Sequence, residues 1–154
     1  MAEEIRDISL STKRAFSIDG DLNRIIHIDT TDMNIMVRME ETYPDIQKLA
    51  IEACDKIVAS KKSEDEDTSL TSVLKEIDAE MRKKLNYIFA SDIADICEPK
   101  GNMYDAVGEG EFRFEYIIGK LVPLYAGDIL DGYKKMQSRV KKHTEKYSGR
   151  RSKK

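Results

Sequence analysis

Tryptophan is absent from this 154-residue chain, and histidine and cysteine occur only twice each. With His27 in an alternating apolar segment and His143 in a basic one, neither imidazole has a neighbouring Ser, Cys or second His in a nucleophile–base or zinc-site arrangement. Two thiols, Cys54 and Cys97, are too few and too far apart for a disulfide framework, and both read as buried thiols in a reducing compartment. No GxSxG, P-loop, GxGxxG or HExxH pattern occurs. Gly108-Glu109-Gly110 is too short to cradle a phosphate and reads as a turn. No apolar run approaches the ~18 residues of a membrane helix, and the opening MAEEIRDISL is acidic where a signal peptide is basic. The expectation is a non-enzymatic, soluble, cytoplasmic protein with no cofactor and no metal.

Charge is plentiful: 36% of the residues are Asp, Glu, Lys or Arg, and the net charge is only −3. That small number conceals a split. From Lys134 to Lys154 there are ten Lys or Arg and a single acid, Glu145, a local charge of +9. The remainder has 16 basic and 28 acidic residues and carries −12. The 40% hydrophobic fraction supports one core, and a chain of this length buries roughly 68–70% of its unfolded surface. The expected organisation is a flexible arm or edge strand over 1–14, one domain over 15–140, and a basic flexible tail over 141–154.

Periodicity divides the body. Phe16 and Ile18, then Ile26 and Ile28, alternate with polar residues around Asp19-Gly20-Asp21, which predicts a β-hairpin over Phe16 to Asp29. Such a hairpin is marginal alone and needs helices or a third strand beneath it. Thr30-Thr31-Asp32 supplies cap oxygens for a helix from Met33 toward Tyr43, and Pro44 predicts a break or kink there, opening a second helix through Val58. Ile46, Leu49, Ala50, Ala53, Cys54, Ile57 and Val58 are its apolar stripe. SKKSEDEDT, 60–68, reads as a solvated loop. Leu70, Val73, Leu74, Ile77, Met81, Leu85, Ile88 and Phe89 predict the strongest helix, ending near Ala90. Ser91-Asp92 caps a short turn through Ile96, stopped by Pro99. Residues 98–110 read as a loop, and a last helix begins near Glu111, is kinked at Pro123, and carries Ile129, Tyr133, Met136 and Val140 at helical spacing. The fold class is mainly α with a short N-terminal antiparallel hairpin, an α+β chain with a bundle-like body.

The candidate sites are correspondingly few. Glu64-Asp65-Glu66-Asp67 lacks the alternation and glycine of a calcium loop and reads as a linker. Asp92 and Asp95 read as a cap and a surface acid. Met33, Met36 and Met39 suit either an adaptable partner-binding surface or, the plainer account, core; with Tyr43 they are the candidate partner-binding residues. Lys134, Lys135, Arg139, Lys141, Lys142, Lys146, Arg150 and Arg151 can neutralise phosphates, but the acidic body repels a polyanion and no aromatic platform accompanies them. Nucleic-acid binding or a regulatory role is therefore the alternative, and docking on an acidic partner is as well supported.

Phe16-Ser17-Ile18-Asp19-Gly20, Ile25 to Asp29, Thr31-Asp32-Met33-Asn34-Ile35, Arg38 and Tyr43-Pro44, followed by Asn102-Met103-Tyr104-Asp105, Gly108 and Phe112 to Tyr116, resemble the tail assembly chaperones of long-tailed bacteriophages and prophages of Gram-positive bacteria. The resemblance spans most of residues 16–125 and lies in texture and order. It implies a virion-assembly factor made in the host cytoplasm that self-associates, keeps the tape-measure protein soluble and recruits the tail-tube protein. In this group a longer frameshifted product is common. The GRRSKK segment has no counterpart in that pattern.

Overall fold

The computed structural model describes residues 3–60 and 68–151. Strands β1 (Arg14–Ile18) and β2 (Asp21–Ile28) form the expected hairpin. Asp19 and Gly20 both take positive φ, 53° and 72°, the two-residue turn geometry that matches strand twist. Phe16 stands opposite Ile26 and Arg14 opposite Ile28, with an irregularity after Ser17. Ile26 and Ile28 are wholly buried and His27 faces out. Residues 3–13 carry no strand.

Asp32 Oδ1 accepts the Asn34 amide at 2.9 Å and starts helix α1 (Asn34–Ser60). The expected break at Pro44 does not occur: α1 is one 27-residue helix. Pro44 lies on the exposed side, where water can take up the carbonyl that a proline leaves without its amide partner. Helix α2 (Thr68–Phe89) bears the expected stripe: Ile77, Met81, Leu85, Ile88 and Phe89 are buried, while Leu70, Val73 and Leu74 are half-buried. It runs antiparallel to α1, since Tyr87 Oη meets Glu41 Oε2 at 3.2 Å and Arg38 Nε donates to the Ile88 carbonyl at 2.8 Å. Ala90, in the left-handed region, closes α2, with Ser91 N–H on the Asn86 carbonyl and Ala90 N–H on that of Tyr87.

Helix α3 (Ala94–Cys97) is the short turn expected before Pro99. The anticipated loop that follows contains a second, two-residue-per-strand hairpin, β3 (Ala106–Val107) with β4 (Glu111–Phe112). Gly108 and Gly110, at φ 56° and 102°, form its turn. Helix α4 (Arg113–Arg151) then continues for 39 residues with Pro123 inside it. It passes without a break through residue 140, where the basic tail is expected to begin.

One core joins all of this. Phe89 meets Tyr125 at 5.8 Å and Tyr43 meets Phe114 at 5.6 Å, so α4 rests on both α1 and α2. Arginines complete the connection by satisfying carbonyls that helix ends leave open. Arg24 donates to the Ile96 and Cys97 carbonyls at 3.0 and 2.7 Å. Arg82 pairs with Asp78 at 2.8 Å and donates to the carbonyls of Glu98 at 2.8 Å and Gly101 at 2.6 Å. Asp78 in turn accepts the Met103 amide at 2.7 Å. The Arg82 and Asp78 side chains are only 14% and 15% exposed, so removing one partner strands the other. Arg82→Ala is expected to cost about 3 kcal/mol in urea unfolding, and Arg82→Lys, which keeps the charge but not the fork, to recover only part of it. A cost under ~1 kcal/mol, the range of a surface pair, would contradict this.

Candidate protein-binding surface

The four residues proposed to face a partner divide. Met33 and Met36 are exposed, at 51% and 60%. Met39 and Tyr43 instead pack against the core; burial raises the Tyr43 hydroxyl pKa, and the neighbouring Glu115 carboxylate adds to the rise. Plain core is therefore the wrong account of Met33 and Met36. Cys54, anticipated as buried, is exposed.

A helix advances about 100° per residue, and on that wheel Ile46, Ala50 and Ala53 point inward. Away from these stand two exposed apolar groups: Met36 and Val37 in the first turn, beside Met33 just ahead of the helix, and Ile51, Cys54 and Val58 toward its end, with Glu40, Pro44 and Gln47 between the groups. Beside and between these groups lie the exposed acids Glu40, Glu41, Asp45, Glu52 and Asp55, with Lys48 among them. The periodic reading absorbed Cys54 and Val58 into the core stripe; the signal against it was the width of the apolar arc, which exceeds what one neighbour can cover.

The basic residues form a second surface. Asp128 accepts from Thr30 Oγ1 at 2.5 Å and meets Arg14 at 3.5 Å, the last polar ties of α4 to the hairpin. Ile129 is half-buried, and every residue from Leu130 to Glu145 is exposed. Lys134, Lys135, Arg139, Lys141 and Lys142 stand on this stretch, with Lys135 bridged to Asp131 at 3.0 Å. The side chains of Lys146, Arg150 and Arg151, and the acidic segment Glu64 to Asp67, lie outside the described residues. Tyr133, Met136 and Val140, half or more exposed, interrupt the charge.

A cleft of about 590 Å³ opens between the hairpin and α4, lined by Ile18, Arg24, Cys97, Lys100, Arg113 and Lys120 among others. Its guanidiniums are largely engaged: Arg24 holds α3, and Arg113 pairs with Glu98 at 2.8 Å and Asp105 at 3.8 Å while its buried Nε makes no hydrogen bond. Burial pushes the Cys97 thiol up to about 11 against the opposing pull of Arg24, which keeps it protonated rather than nucleophilic at neutral pH. No cluster of His, Cys, Asp or Glu able to hold a metal ion occurs among the described residues, and no helix among them is long and apolar enough to cross a membrane.

No family model, curated protein or solved structure matches the chain.

Around the cleft, Glu98 is the titrating group on which the loop depends. Burial raises its pKa, but amides of Gly101 and Lys100 and the charges of Arg113 and Arg24 outweigh that and leave it below its ordinary 4.5. A depressed carboxyl stabilises the folded state above the unfolded pKa and loses that contribution as pH falls through the folded one. Thermal unfolding should therefore show a stability loss on acidification below 4.5 that Glu98→Gln diminishes. An unchanged acid limb in that variant would contradict the assignment.

Proposed function

We propose that the chain is a non-enzymatic assembly chaperone that binds apolar helical segments of a partner, of the kind that serves phage tail assembly. The observation that carries the reading is the exposed apolar cluster at the start of α1: Met33 just ahead of the helix and Met36 and Val37 in its first turn, with 51–60% of their surface open. Contiguous exposed apolar area on a small protein favours docking an amphipathic partner. The two methionines add side chains that adapt to varied surfaces. The partners in this reading, a tape-measure protein exposing apolar helical stripes before the tail tube covers it and the tube subunit that follows, come from the sequence resemblance. So does the bacterial host cytoplasm as its setting.

A second reading is favoured by one observation, the five exposed cations between Lys134 and Lys142. Duplex DNA binding that weakens steeply with salt and disappears when these five side chains are neutralised would select it. The −12 charge of the remainder opposes it.

The test is co-expression with a tape-measure fragment. The fragment should become soluble and co-purify, and Met36→Glu, an outward substitution that leaves the core intact, should reduce the recovered complex about tenfold, the effect of ~1.4 kcal/mol. A fragment that stays insoluble, or a complex indifferent to Met36→Glu, would contradict the reading.

A further inference from the structure

Beyond Asp128, α4 is a helix with nothing to lean on. Residues 130–151 continue it for about 33 Å at ~1.5 Å per residue, and none of those from Leu130 to Glu145 is buried. A lone helix of this length is marginal in water unless an amphipathic face is covered. Such a face exists: Ile129, Tyr133, Met136 and Val140 recur at spacings of four, three and four, the seam of a helix–helix pair. On α1, Ile51, Cys54 and Val58 repeat the same three–four spacing on the exposed side.

Charge chooses between the ways of covering the arm. Pairing two arms would set Lys134, Lys135, Arg139, Lys141 and Lys142 against the same five in the other copy. The outward face of α1 instead offers Glu40, Glu41, Asp45, Glu52 and Asp55 against the exposed Lys48. The arm cannot reach its own α1, because α4 leaves the body as one uninterrupted helix.

We propose that the α4 arm of one copy docks on the outward face of α1 in a second copy, with Tyr133, Met136 and Val140 against Ile51, Cys54 and Val58, and that the exchange is reciprocal in a two-fold dimer. The basic residues flanking the arm stripe then face Glu52 and Asp55, with Asp45, Glu41 and Glu40 farther along α1, so the dimer weakens as salt rises. The dimer stands apart from client binding and forms with no client present.

The exposed thiol of Cys54 makes the contact testable in the full-length protein without any client. Sedimentation equilibrium should give twice the monomer mass at low salt, and Met136→Glu should restore the monomer, with helical circular dichroism falling by no more than the arm contributes and the body still folded. Under mild oxidation, Met136→Cys should yield an intermolecular disulfide to Cys54 that is lost on adding Cys54→Ser, whereas Ser138→Cys, on the opposite side of the arm, should yield none. A monomer at all concentrations overturns the proposal. So does a Met136→Cys crosslink that survives Cys54→Ser, which would mean that arm pairs with arm.

Discussion

The Arg82–Asp78 pair is the constraint on which the rest of the structure leans. From one turn of α2 these two side chains take up the carbonyls of Glu98 and Gly101 and the amide of Met103, which would otherwise be open polar groups of an irregular segment lying against the core. Pinning that segment places Met103 in the core and lets its carbonyl accept the Phe114 amide, while the Asp105 carbonyl accepts that of Arg113 at 2.7 Å. The first turn of α4 is thereby fixed to α2, and the direction of the whole 39-residue helix follows. Asp95, though also bonded to Arg82, is 85% exposed and contributes little.

The hairpin is attached by the same means. Arg24 closes α3, Ser91 Oγ donates to the His27 carbonyl at 2.6 Å, and Thr30 holds Asp128. Ile26 and Ile28 supply the apolar contact and these bonds its orientation. A two-stranded ribbon too small to stand alone thus becomes the clamp that marks where α4 leaves the body.

Much of this was legible in the sequence, because periodicity and turn chemistry are local. The Asp19-Gly20 turn, the Asp32 cap, the α2 stripe and the short α3 before Pro99 all follow from neighbouring residues. What was not legible depended on distant partners. Pro44 is tolerated because its side of α1 faces water, a fact no local pattern contains. Cys54 and Val58 share the helical spacing of Ala53 and Ile57, and only the packing of α2 decides which side is inside. Arg24, Arg82 and Asp78 look like any charged residues on a surface until residues 73, 19 and 25 positions away are brought to them. For the candidate surface, the sequence offered Met33, Met36 and Met39 together as either outward or core residues, and it could not separate the two that are exposed from Met39, which turns inward.

The account rests on residues 98–105 behaving as part of the core although they belong to no regular element. Native-state amide exchange at Met103, Arg113 and Phe114 tests that most directly. Their exchange should be as slow as that of Met81 and Leu85 in α2, opening only with global unfolding. Exchange at the rate of the exposed residues 3–13 would mean that the segment is not held, and that the Arg82–Asp78 pair does not fix the direction of α4.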